Sequence, residues 1–211
     1  MSTFSYHLTK RIFDLFFSSV MLLLLWPLFL LVSLMISCQS PGPVFYRGVR
    51  TGLHGKPFRI YKFRTMVQDA ERKGGPSTAL NDPRITGIGR FLRKYKLDEL
   101  PQLINILLGE MSFVGPRPQV EKYTRLYTRE EQIILAVKPG LTDYASIHFI
   151  HLDAILGDED VDEKYLRDVE PEKNRLRIQY ARNPSFWTDM TILFRTFARM
   201  FRIRALWSTK K

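Results

Sequence analysis

The chain has 211 residues, enough for one globular domain with a core of its own. Its 45% hydrophobic and 25% charged content excludes a disordered chain, and its one cysteine, Cys38, excludes an intramolecular disulfide. A formal net charge of +11 calls for an anionic partner: nucleic acid, an anionic membrane face or a phosphorylated substrate.

No charge occurs from Leu15 through Val44, and Val20 to Ile36 reads VMLLLLWPLFLLVSLMI. A straight membrane-spanning helix needs about 20 apolar residues, so this run is slightly short, and Pro27 interrupts it by removing a backbone donor. Lys10 and Arg11 precede it, and Arg47, Arg50, Lys56 and Arg59 follow. Cations at both ends favour keeping both ends on the cytoplasmic side. A re-entrant helix that bends at Pro27 accounts for length, break and charge together, whereas a straight span accounts only for the apolarity. A cleaved signal peptide fits less well, because the apolar run is long and no small-x-small site follows. Lipoprotein processing at Cys38 is disfavoured by Met35, and a buried core helix by leucines on every face.

Gln39-Ser-Pro-Gly-Pro43 reads as a rigid turn. Val44 to Val49 and Phe58 to Arg64 then read as two strands of a hairpin, joined by the glycine-containing link Arg50 to Lys56. Their mixture of rings and cations suits a membrane interface and equally an ordinary half-exposed hairpin. A loop runs from Gly74 through Pro83. A basic helix over Ile88 to Lys96 and a second over Asp98 to Leu108, closed by Gly109, come next. The C-terminal third carries an acidic stretch, Asp153 to Glu163, which reads as a solvated face. A last helix covers Trp187 to Trp207, with Met190, Leu193, Phe194, Phe197, Met200 and Phe201 at helical spacing. Arg195, Arg199, Arg202 and Arg204 interleave with them. Such a helix lies in a membrane interface or packs on the domain's own core.

The residues best suited to chemistry follow Arg84. Asp98 and Glu99 sit at the expected helix start, with Pro101 in its first turn. The free N–H groups there would keep Asp98 ionised and attract a phosphate. Arg84, Arg90, Arg93, Lys94 and Lys96 surround the pair in sequence. In Gly115-Pro-Arg-Pro118 the flanking prolines limit where Arg117 can point, which suits bidentate recognition of phosphate oxygens. From spacing alone the acidic pair reads as a helix cap or as a site. His148 and His151 lack further ligands and read as exposed loop residues.

From Lys10 to about Arg199 the chain resembles the monotopic phosphoglycosyl transferases, which start bacterial glycoconjugate assembly on undecaprenyl phosphate. The motifs that carry the resemblance are Lys10-Arg-Ile-Phe-Asp14, Ser40-Pro-Gly-Pro43, Lys62-Phe-Arg-Thr-Met66 and Asp82-Pro-Arg-Ile-Thr86, followed by Leu97-Asp-Glu-Leu-Pro-Gln-Leu103, Asn105 with Gly109, Met111-Ser112, Val114-Gly-Pro-Arg-Pro118 and Pro139-Gly-Leu-Thr142. The resemblance implies an α+β, mostly helical fold. A re-entrant membrane helix (1–40) would carry a cytosolic, membrane-associated catalytic domain (41–211) with a small β-hairpin or sheet and interfacial amphipathic helices. It also implies a UDP-sugar donor, undecaprenyl phosphate as acceptor, membrane lipids as surroundings, and no nucleic acid. The location would be the cytoplasmic face of the bacterial inner membrane; the sequence leaves a homodimer open. Asp98 would be the nucleophile, Glu99 its partner, and the two together the ligands of Mg²⁺. Lys62, Arg64, Arg84, Arg93 and Arg117 would bind the phosphates.

Three departures from the family's common pattern stand out. Trp26 precedes Pro27 where serine is usual. Leu141-Thr-Asp-Tyr-Ala-Ser146 replaces Ile-Thr-Gly followed by Ala-Gln. Arg177 stands where an acidic residue is common. They bear on which sugar is used more than on the reaction.

Overall fold

The structure, a computed structural model, describes residues 3–70, 82–150 and 161–208. It is mostly helical with three small strand pairings, as expected for the α+β class. Helix α1 spans Thr3–Gln39, 37 residues and roughly 55 Å, and its helical run continues through Pro27. Among the described residues it is the one helix long and apolar enough to cross a membrane.

One stripe of α1 faces the rest of the chain along its whole length. Tyr6, Asp14, Ser18, Val32 and Ile36 are buried at near-helical spacing. On the opposite side Leu23 and Leu24 are 73% and 71% exposed, and Leu30, Leu31 and Leu34 are also open. Near its start, Arg11 donates to the carbonyls of Ile106 and Leu107, 2.7 and 2.9 Å away. At its last residue, the Gln39 side chain accepts from the Ile88 amide at 2.8 Å. Both ends of the apolar helix are therefore tied to the same domain.

The expected hairpin forms with one constant register in two parts. Strand β1 (Phe45–Tyr46) pairs with β4 (Lys62–Phe63), and β2 (Val49–Thr51) with β3 (Pro57–Arg59), both antiparallel. The Ile60 amide bonds the Gly48 carbonyl between them, so the ladder keeps its register across the gap. Helix α2 covers Gly87–Lys94, capped by the Thr86 hydroxyl, which accepts from the Gly89 amide. A side chain at Gly89 would collide with the Thr65 carbonyl, its Cβ falling 2.0 Å away. That close approach brings α2 onto the end of the hairpin.

A 3₁₀ turn, Leu97–Glu99, and helix α3 (Gln102–Leu108) follow. Gly109 closes α3 at φ +84°, as the sequence predicts. Strand β5 (Ser112–Val114), the short helix α4 (Glu121–Thr124), a 3₁₀ segment (Glu131–Ala136), β6 (Gly140–Thr142) and helix α5 (Tyr144–His148) come next. β5 and β6 pair in parallel. Helix α6 (Val161–Lys164) passes through a π turn (Tyr165–Val169) into α7 (Glu170–Arg182), and α8 (Phe186–Ser208) ends the described chain. The π turn has a local cause: Pro171 has no N–H to continue the α ladder, and the Glu170 amide reaches back five residues to the Tyr165 carbonyl.

The main core joins Ile60, Leu103, Ile106, Met111, Phe113 and Ile192, with Phe13, Met21 and Leu25 of α1 packed on it. A second cluster joins Val32 and Ile36 of α1 to Phe63, Ile88 and Leu92. The last helix packs on the domain's own core along one face. Asp189 and Ile192 face inward, while Trp187, Phe194 and Phe197 are 77%, 75% and 55% exposed. The side chains of Met200, Phe201, Arg202 and Arg204 lie outside the described residues, as do His151, the Gly74 to Asn81 loop and the acidic stretch through Asp160.

Candidate active site

Asp98 and Glu99 do not open an α-helix. They lie in the 97–99 turn, and α3 begins only at Gln102. Pro101 has no amide to donate to Leu97, so the first bonds span three residues: Leu100 to Leu97, Leu103 to Leu100 and Ile104 to Pro101. The helix-dipole role expected for Asp98 is thereby corrected. The turn is entered through Lys96, whose left-handed backbone (φ 56°) costs a non-glycine residue about 1–2 kcal/mol.

What surrounds the pair is a set of cations from distant parts of the chain. Glu99 Oε1 accepts from Lys62 Nζ at 3.0 Å and from Arg117 Nη2. Lys62 comes from β4 and Arg117 from the loop after β5, so hairpin and parallel pair converge on one carboxylate. Burial works to raise the Glu99 pKa, but the Arg117 and Lys62 charges overcome it and hold the group well below the usual carboxylate range. Burial pushes the Lys62 ammonium down against the pull of Glu99.

Asp98 is 8% exposed, and no described residue hydrogen-bonds its carboxylate. Burial, and then the Glu99 charge, raise its pKa; Lys62, Arg93 and Lys96 oppose them. Arg93 Nε donates to the Thr65 hydroxyl at 2.9 Å, which holds this cation on the Asp98 side of the hairpin.

The other two arginines expected at the phosphates are engaged elsewhere. Arg64 is buried and donates to the Ser40 and Pro41 carbonyls at 2.7 and 2.6 Å, clamping the turn that ends α1. Arg84 forms a fork with Asp82, Nη2 to Oδ2 at 2.6 Å and Nε to Oδ1 at 2.9 Å, and also reaches the Ala70 carbonyl. The structure brings Lys62, Arg93 and Arg117 to the acidic pair and turns Arg64 to the end of α1. His148 is exposed, as expected of it, at the end of α5.

Three residues present only within quoted motifs, with no role assigned there, take positioning roles. The Asn105 side chain accepts from the Tyr61 amide at 2.8 Å and donates to the Arg59 carbonyl at 2.9 Å, fastening α3 to the hairpin below the acidic pair. Thr65 positions Arg93, and Asp143 touches the Arg117 backbone. Only Asp143 carried a local signal, as the start of an Asp-x-x-Ser cap, whose partner Ser146 donates to it at 2.6 Å. Arg177, the third departure, is fully buried. It is answered by Glu170 at 3.0 Å and Asn174 at 2.7 Å on its own helix.

Such a site can place an unsolvated carboxylate against a phosphate whose charge is met by fixed cations. The family model described as bacterial sugar transferase matches residues 5–203. The chain belongs to the bacterial sugar transferase family. It is 39% identical over 197 residues to a UDP-glucose:undecaprenyl-phosphate glucose-1-phosphate transferase of Escherichia coli K12, covering 92% of this chain and 40% of that protein. It is 40% identical to the exopolysaccharide production protein ExoY of Rhizobium meliloti, over 90% of this chain and 84% of that one. An uncharacterized sugar transferase, EpsL, of Bacillus subtilis is 37% identical over 90% of this chain and 86% of its own length. The chain thus spans about two-fifths of the E. coli transferase and most of the two shorter relatives.

Proposed function

We propose that the chain transfers a sugar 1-phosphate from a UDP-sugar to undecaprenyl phosphate, with Asp98 as covalent nucleophile. The observation that carries this reading is the contrast within the acidic pair. Glu99 is neutralised by two cations, while Asp98 is buried and no described residue hydrogen-bonds its carboxylate. A carboxylate in that state is more nucleophilic than one wrapped in donors. Relatives named for transfer of glucose 1-phosphate or N-acetylgalactosamine phosphate to undecaprenyl phosphate supply the reaction class.

In the first step an Asp98 oxygen attacks the β-phosphorus of the donor, the bond to the bridging oxygen breaks, and UMP leaves. Lys62, Arg93 and Arg117 meet the phosphate charge as it shifts onto the leaving group. In the second step the lipid phosphate oxygen attacks the phosphorus of the acyl phosphate. The lipid diphosphosugar forms and the Asp98 carboxylate is regenerated.

Mg²⁺ fits the donor chemistry present. It is characteristically held by one or two carboxylates together with substrate phosphates, and Asp98 and the second oxygen of Glu99 are such a pair. No cluster of three acidic, histidine or cysteine side chains occurs among the described residues, so substrate would complete the set. When bound, the ion would neutralise diphosphate charge.

The outer face of α1, with Trp187, Phe194 and Phe197 of α8, supplies an apolar surface for a bilayer. A helix tied at both ends to one domain suits entry and return on the cytoplasmic side, the monotopic arrangement, with the site at headgroup level where a lipid phosphate and a soluble nucleotide can meet.

The experiment is a UDP-sugar panel with the protein in a membrane mimetic, Mg²⁺ and undecaprenyl phosphate. UMP release that requires the lipid for repeated turnover is expected, and the panel names the sugar. UDP release would mean glycosyl transfer and overturn the mechanism. Salt-sensitive lipid binding without turnover would favour a basic membrane-binding protein.

A further inference from the structure

We infer that Asp143 is a positioning residue for Arg117, holding the loop that presents this guanidinium to the acidic pair and to the donor diphosphate. The inference rests on the functional reading above for what Arg117 binds, but its geometry stands apart from it.

In Pro116-Arg117-Pro118 both prolines lack an amide hydrogen, so Arg117 carries the only backbone donor of the tripeptide. That N–H donates to Asp143 Oδ2 at 3.2 Å. Around it the loop is gripped by backbone alone: Gly115 N to the Thr142 carbonyl and Gly140 N to the Pro116 carbonyl, each at 3.0 Å. The two glycines make this approach possible, since a Cβ on Gly140 would fall 2.1 Å from the Gly115 nitrogen. At the far end of the side chain, Arg117 Nη1 lies 3.4 Å from the Leu141 carbonyl while Nη2 meets Glu99. The segment Leu141 to Asp143 therefore holds Arg117 at both its backbone and its guanidinium.

Asp143 is 1% exposed and accepts on both oxygens. Oδ1 takes the Ser146 amide and hydroxyl, each at 2.6 Å, as the cap of α5. Oδ2 takes Arg117. An asparagine has one acceptor and one donor in their place, so it can serve α5 or Arg117 but not both. This separates a carboxylate requirement from simple size.

The test compares Asp143→Asn, Ser146→Ala and Arg117→Ala in the full chain, with undecaprenyl phosphate and the UDP-sugar that supports turnover. Asp143→Asn should lower kcat/KM by roughly 10- to 100-fold, the effect of leaving one buried partner unpaired. Ser146→Ala, which weakens only the cap, should stay within about threefold of wild type at a similar loss in Tm. Adding Asp143→Asn to Arg117→Ala should cost less than about threefold more, because the two act as one unit. Full additivity, or activity that follows Tm alone in all variants, would overturn the inference. UMP binding by calorimetry gives an arm independent of turnover: Asp143→Asn should weaken it about tenfold and Ser146→Ala should not. If wild type releases UMP from no donor, the functional reading fails, and this binding arm alone decides for or against Asp143.

Discussion

Two buried aspartates in this molecule live in opposite circumstances. Asp189, where α8 meets α1, receives Lys10 at 2.6 Å, Tyr180 at 2.7 Å and Tyr6 at 3.1 Å. Lys10 and Tyr180 also bond the Val114 carbonyl, so α1, α7, α8 and β5 close on one carboxylate. Asp98, in the 97–99 turn, is almost as buried and is given no hydrogen bond by any described residue. A satisfied buried carboxylate holds structure; one without donors keeps its lone pairs free to attack phosphorus.

The contrast is sharpest when each acid loses its charge. Asp98→Asn should abolish UMP release, a fall of at least about 10³-fold, while its Tm stays at or above that of wild type, because a buried charge that no described residue hydrogen-bonds is removed. Asp189→Asn should do the reverse. It should destabilise by about 3–5 kcal/mol, as breaking a buried ion pair does, and the folded fraction should keep its KM for donor. Denaturant melts alongside initial rates read both. Equal Tm losses in the two variants would erase the distinction.

Arg64 extends the comparison to the cations. Its guanidinium holds Ser40 and Pro41, so Arg64→Met should cost about 1–3 kcal/mol of stability while kcat/KM of the folded protein changes by less than threefold. A loss of donor affinity without a loss of stability would return Arg64 to the substrate.

The smallest effect is in pH. Burial raises the Asp98 pKa, so kcat/KM should fall on acidification with a midpoint above the ordinary carboxylate value of about 3.9. The folded state binds that proton more readily than the unfolded chain does. Its contribution to stability therefore declines as pH rises from the ordinary carboxylate value through the raised one. Glu99 works oppositely: its depressed pKa contributes stability above the ordinary value that is lost as pH falls toward the folded one. An Asp98→Asn melt series against wild type isolates the Asp98 contribution.

Much of the frame is legible in the residues. The charge-free run marks α1, Gly109 marks the end of α3, and the alternating segments around Gly52 and Gly55 mark the hairpin. The parallel pair β5 and β6 is not, because two three-residue strands 25 residues apart carry no periodicity to read. Nor is the division of labour among the arginines. Arg64 and Arg93 are both expected at the phosphates, but tertiary packing gives one the turn after α1 and the other Thr65 and the field of Asp98. The expected helix start at Asp98 failed for a local reason, the missing amide of Pro101. No pattern in the residues brings Lys62 and Arg117 together on Glu99, 37 and 18 residues away in the chain.

The most direct test of the account withholds the lipid. Wild type mixed with Mg²⁺ and the active UDP-sugar, quenched and digested, should release about one UMP per protein and leave a sugar phosphate on the peptide containing Asp98. Undecaprenyl phosphate added before the quench should remove it. A burst without an adduct, an adduct on another residue, or UMP release only when lipid is present would contradict Asp98 as the covalent carrier.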